Sequence, residues 1–373
     1  MTEGRSLHRT RLPDTGGSDH QKPTSLQGRA HKAHTNKQHR LRDLDRCLEA
    51  DLLLACWRDL NQQAARGVDG LTAQAYEANV QATITAVVQR LQTQRDRATR
   101  VRRCSIPKEN GSARPRGIPA LEDTLGQLAC AKLLMALSEQ DCLARSSGSR
   151  PGRGAVEAVR DLPFARQYGT YGDLVDAEGT GFVDPRDHTQ LVAMLRERMD
   201  DRALLRLMRQ WRKAGMLETD GHVVHPETGS PHGGCLSPVL ANGYVHDALD
   251  VWCNTVVKAH GRGEALRCRS AAAWVCAFRS QEDAERLYRV FPARLQRCNL
   301  QVASDTTHLL RCSRFHPRMR RRVTLRGCEL VWMPDRQGGP RVKRRTARKK
   351  LQAACRRMTA GMKQHRHLPG REF

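Results

Sequence analysis

The sequence predicts an α+β fold, and three observations carry that expectation. Segments with apolar residues at three- and four-residue steps are interspersed with short β-like runs rather than alternating with them regularly. Two of those runs, within 265–278, lie close enough to form a hairpin, which a doubly wound parallel sheet would not contain. The chain has 373 residues, enough to bury a large core in one or more domains.

In chain order, residues 1–40 are rich in His, Lys, Arg, Ser, Thr and Gly without apolar periodicity and read as a disordered basic tail. From Leu41 the pattern changes: Leu41, Leu44, Leu48, Leu52 and Ala55 fall on one face of a helix. A turn at Gly67–Gly70 leads to a second helix around Ile84, Val87, Val88 and Leu91. Residues 102–119 read as a hairpin, because Asn110-Gly111 suits a two-residue turn with positive φ, and its ends carry Lys108, Arg114 and Arg116. Helical spacing resumes over 121–139, 191–211 and 283–295, with β-like stretches at 171–178, 265–278 and 322–333.

Composition narrows the function. Lys plus Arg number 64 against 39 Asp plus Glu, a net charge of +25 and a pI near 10.3, which favours a polyanionic partner, nucleic acid first, over a neutral small molecule. The charge concentrates at the end: Arg336 to Phe373 holds thirteen Lys or Arg and one acid, Glu372. A solvated helix would show such a charge; so would a surface that tracks phosphates. The 13 cysteines contain no C-x-x-C pair, which argues against zinc ribbons and a closed disulfide framework and for a reducing, cytoplasmic setting. No apolar run is long enough to span a membrane, and the N-terminus has no signal-like apolar segment. Aromatics are scarce, with 6 Phe, 5 Tyr and 5 Trp.

Five segments taken in order give a resemblance. IPKENGSARPRGIP at 106–119, SSGSRPGRGA at 146–155, LVDAEGTGFVDPRDH at 174–188, SPHGGCLSPVLAN at 230–242 and LRGCE at 325–329, followed by the basic RVKRRTARKK at 341–350, resemble the successive blocks of group II intron-encoded reverse transcriptases. The resemblance implies a right-hand polymerase. Fingers would occupy 41–160, a palm (reverse transcriptase domain) 161–335, and only the basic start of a thumb, or maturase region, 336–373. It implies template and nucleotide contacts by Lys108, Arg114, Arg150, Arg153, Gly233 and Gly234, and RNA contacts by Lys343, Arg344, Arg345, Arg348, Lys349 and Lys350. Intron or other structured RNA is the implied partner, with DNA as the second nucleic acid.

It also implies two Mg²⁺ ions held by palm carboxylates, since hard cations take oxygen ligands. Here this sequence departs from the pattern. The first palm Asp falls on Glu178, and the Tyr-Ala-Asp-Asp element falls on Ser270-Ala271-Ala272-Ala273, so both Asp positions, Ala272 and Ala273, offer no ligand. Metal binding is expected to be weak or absent, with Glu178 a vestigial ligand. Asp173, Asp176, Asp184 and Asp187 are the remaining acids that could substitute. Pro-Gln-Gly-Gly reads Pro231-His232-Gly233-Gly234, the Lys of Glu-Lys-Thr falls on Thr306, and aromatics of two blocks have become Ser147, Ser149 and Cys328. A reverse transcriptase by descent that is inactive or nearly so, a non-catalytic RNA-binding protein, and a relic of a truncated gene are the three readings.

Overall fold

The structure is a computed structural model that describes residues 26–37, 39–107, 113–154, 157–158, 160, 171–180, 188–218, 220–224, 234–311, 322–325 and 327–367. In chain order, helices α1 (Leu26–Thr35), α2 (Ala50–Asp59), α3 (Ala73–Glu77) and α4 (Val80–Gln92) precede strands β1 (Val101–Pro107) and β2 (Ala113–Ile118). Then come α5 (Leu121–Ser138), β3 (Ser146–Ser147), β4 (Asp173–Thr180), α6 (His188–Arg198), α7 (Arg202–Lys213), β5 (Met216–Leu217) and β6 (Val223–Val224). Helix α8 (Ser237–Val245) runs on through π-type turns to His260 and feeds the hairpin β7 (Ala265–Ser270) and β8 (Ala273–Phe278). The chain continues as α9 (Gln281–Arg297), β9 (Gln301–Val302), β10 (His308–Arg311), β11 (Arg322–Leu325), β12 (Cys328–Pro334), β13 (Pro340–Thr346) and α10 (Arg348–His365).

The central sheet runs β10-β4-β8-β7-β3, with β9 beside the far end of β4. Its middle strands are covered on both faces, which explains why AWVCAF in β8 is almost wholly apolar instead of alternating. Val175, Ala177, Trp274, Cys276 and Phe278 point into the helical core with Leu287 and Phe291 of α9. Leu174, Val275 and Ala277 point the other way, against Val323 and Leu330 of the three-stranded sheet β11-β12-β13. Trp274 stacks on Phe291 at 4.7 Å between ring centres, a contact worth about 0.5–1.5 kcal/mol beyond burial. A smaller sheet, β2-β1-β5-β6, stands beside α5 and α7.

Local readings are corrected at three places. The helix expected from Leu41 starts only at Ala50: Asp43 has φ +53°, Leu41 bridges to Met199, and the Asp45 N–H donates to Asp201 at 2.9 Å. Leu44 and Leu48 are still buried, so their spacing reports the core without a continuous helix. The helix expected over 191–211 is two, because Asp201 caps α7 by accepting from Leu204 N at 2.8 Å while the Asp200 N–H is taken by Leu41 O. The expected hairpin forms from β1 and β2, with Pro107 paired to Ala113, and its Asn110-Gly111 turn lies outside the described residues. Within the stretch expected as a tail, Leu26–Thr35 is a helix that buries Ala33 and whose Ala33 carbonyl accepts from Arg198 at 3.1 Å.

Candidate functional site

The register brings the three positions singled out for catalysis onto one edge of the central sheet. Glu178 on β4 is the ladder partner of Ala273 on β8, and Ala273 pairs in turn with Ser270 on β7. Partners on adjacent strands have Cα atoms about 5 Å apart. Ala271 and Ala272 form the two-residue turn, half-exposed, with Ala271 at φ +52°, a left-handed conformation more often given to Gly or Asn. Methyl groups therefore stand where the hairpin tip faces the end of β4.

Beneath the tip lies a polar network that the sequence reading did not single out. Asp250, from the π-type continuation of α8, is fully buried and accepts from the Arg269 guanidinium at 2.8–3.1 Å through both oxygens. Arg267 donates to the same carboxylate, and Arg269 also donates to Ser146 Oγ at 2.6 Å. Burial alone would raise the Asp250 pKa, but the Arg269 and Arg267 charges outweigh it and hold the carboxyl well below the ordinary range. The loop after β3 is tied to the turn as well: Ala271 N–H donates to Ser147 O at 3.0 Å, and a Cβ built on Gly148 (φ +121°) would stand 2.5 Å from Ala271 N. The only hint of this network in the chain was an acid, Asp250, inside the apolar run ANGYVHDALDVW.

The predicted nucleic-acid contacts scatter. Lys108 and Gly233 lie outside the described residues, as do Asp184 and Asp187, and Arg114 sits on β2 as the partner of Ile106. Arg150 turns inward. Its guanidinium is spent on Glu139 (2.6 and 2.8 Å), Leu143 O (2.9 Å) and Ser146 O (2.5 Å), so it fastens the 143–150 loop instead of facing a ligand. Arg153 is half-buried and donates to Ala144 O. Gly234 lies against Gln127, whose Oε1 would be 2.3 Å from an added Cβ and would have to swing aside; it lines a cleft with Gln127, Trp211, Arg212 and Ser237. Thr306 is exposed in a short 3₁₀ turn.

The C-terminal cations do assemble. β13 is an edge strand, and its Arg341, Lys343 and Arg345 share the face opposite to Val342, which packs inward with Leu330. Arg345 donates to the buried Glu329 at 2.8 Å; Arg341, Lys343 and Arg344 are exposed. Arg348, Lys349 and Lys350 follow at once in the first turn of α10, all exposed.

No family model matches the chain. Individual relatives do. It is 29% identical over 202 residues to the group II intron-encoded protein LtrA of Lactococcus lactis subsp. cremoris, covering 54% of this chain and 33% of that protein. It is 29% identical over 181 residues to protein YkfC of Escherichia coli (strain K12), covering 47% of each. The uncharacterized 91 kDa protein in the cob intron of Schizosaccharomyces pombe is 28% identical over 227 residues, covering 61% of this chain and 28% of that one. The chain thus spans between about a quarter and a half of the length of these curated relatives. Over about half of its length the chain is similar to members of the group II intron-encoded protein family.

Proposed function

We propose that this chain is a polymerase-incompetent member of that family whose activity is RNA binding. The observation that carries the reading is the rung formed by Glu178, Ala273 and Ser270 beside the Ala271-Ala272 turn. A pair of Mg²⁺ ions sits about 4 Å apart and needs several carboxylate oxygens converging between them. One glutamate in ladder register with an alanine, beside a turn of alanines, is not that donor set, so Mg²⁺ does not fit this edge as a catalytic pair. No step of phosphoryl transfer is assigned to it.

The surface supports the other half of the reading. Arg341, Lys343 and Arg344 on β13, with Arg348, Lys349 and Lys350 on α10, are exposed cations on adjacent elements, suited to phosphates and not to base edges. The same hairpin that has lost its carboxylates keeps a fully engaged scaffold, Asp250 to Arg269 to Ser146, which favours a folded binding protein over an unselected relic. The test is RNA affinity against salt. For single strands, six neutralised phosphates give a slope of log affinity on log salt near −4, with little difference between sequences. Affinity indifferent to salt between about 50 and 200 mM would overturn the binding role.

A further inference from the structure

Helix α10 spans 18 residues, about 27 Å, and none of its side chains is buried. It is held at its first turn: Ala347, buried, donates its N–H to Gly327 O at 2.8 Å, and Lys350 passes beside Gly327. Beyond that turn, among the described residues, nothing covers it. Leu351, Met358 and Met362 are 52%, 68% and 48% exposed. At about 100° per residue these three fall with Ala354, Cys355, Gly361 and His365 in one sector of about 120°. A lone helix of this length is marginal in water, and Gly361 costs it about 1 kcal/mol more, so its stability calls for a partner on that sector.

Charge and shape select the partner. α10 contains no acid. Arg348 borders one side of the apolar sector, and Lys350 and Arg357 border the other, so two copies of the helix would set like charges against each other along both flanks. A bilayer gains little from a sector with only three sizeable apolar side chains, a histidine and no Phe, Tyr or Trp. RNA would occupy the cationic side and leave the sector wet. Ala354 and Gly361, by contrast, let a second helix approach to about 8–10 Å, and methionines repack around whatever side chains meet them.

We propose that α10 docks an acidic amphipathic helix of a separate polypeptide along Leu351, Met358 and Met362, with carboxylates of that helix pairing with Arg348 on one flank and Lys350 and Arg357 on the other. Arg348 and Lys350 are shared with the RNA reading, so the two partners would compete for them, whereas Arg341, Lys343, Arg344 and Lys349 lie away from this sector and remain with the RNA alone.

The test uses the full chain and a labelled synthetic peptide of about 18 residues, helical by design, with Leu at the core positions and Glu at the flanks. A scrambled peptide of the same composition, a Lys-flanked version and phosphatidylserine vesicles are the comparators. The acidic peptide is expected to bind at least about tenfold more tightly than the scrambled one, and Met358→Glu or the charge-neutral Met358→Ser should each remove most of that difference. Lys350→Glu with Arg357→Glu should turn the preference toward the Lys-flanked peptide. Equal binding of acidic and scrambled peptides, binding untouched by both Met358 variants, or a clear preference for vesicles would overturn the proposal.

Discussion

Two glycines four residues apart show how the loop after β3 is fitted to the hairpin. Gly148 and Gly152 both have positive φ, but an added Cβ meets Ala271 N at 2.5 Å at the first and nothing within 4 Å at the second. Gly152→Ala should therefore cost about 1–2 kcal/mol of conformational strain, and Gly148→Ala measurably more, as read by urea unfolding. Equal losses would mean that the loop does not press on the turn. Asp250 matters more. Replacing it by Ala leaves Arg267 and Arg269 buried without their counter-charge, and about 3–5 kcal/mol should be lost.

Asp247, three residues earlier, titrates in the opposite sense. Burial first, then the nearby carboxylates of Glu197, Asp141 and Asp250, push it up to about 6 against the partial offset of His246. Because the unfolded value is 3.8, the folded chain holds this proton more tightly, so stability falls as pH rises from about 4 to about 6 and stays lowered above. Asp250, held low, contributes stability above about pH 4 that is lost as the solution becomes more acidic. Asp247→Asn should accordingly flatten the decline between pH 4 and 6.5 and raise the urea midpoint at pH 7. Parallel profiles for the two proteins would contradict this assignment.

Among the elements, the basic edge strand makes a graded prediction. Arg341→Ala and Lys343→Ala should each reduce the steepness of the RNA salt dependence by about 0.7, and Arg345→Ala by less, because Glu329 already neutralises that guanidinium. Identical changes at all three positions would show that β13 does not itself meet the phosphates. This strand and the central hairpin were legible in the chain for different reasons: the first by its density of charge, the second by apolar runs on either side of Ser270–Ala273. Helix limits near Leu41 and Met199 were not, because what breaks those helices is a contact between segments about 155 residues apart, the Leu41–Met199 bridge and the Asp45–Asp201 hydrogen bond. Periodicity carries no record of such partners.

For the molecule as a whole, the sequence exposed the substituted positions 178, 272 and 273 but not the apparatus beneath them. Residue identities at a motif can be read in one dimension; the bidentate Asp250–Arg269 pair and its bond to Ser146 join positions up to 123 residues apart and need the fold. Arg150 illustrates the converse, an arginine in a recognisable block that the fold turns inward to Glu139. On the proposed reading the chain keeps an intact hairpin scaffold and exposed cations, with alanines at 272 and 273. Template-dependent primer extension, with Mg²⁺ or Mn²⁺, on the chain bound to a primed RNA at low salt tests that description most directly. The account predicts a complex that forms and a primer that is not extended, and restoring Asp at 272 and 273 alone should not rescue synthesis while Glu178 and Thr306 remain. Extension by the unaltered chain at a rate comparable to an intact relative would contradict it.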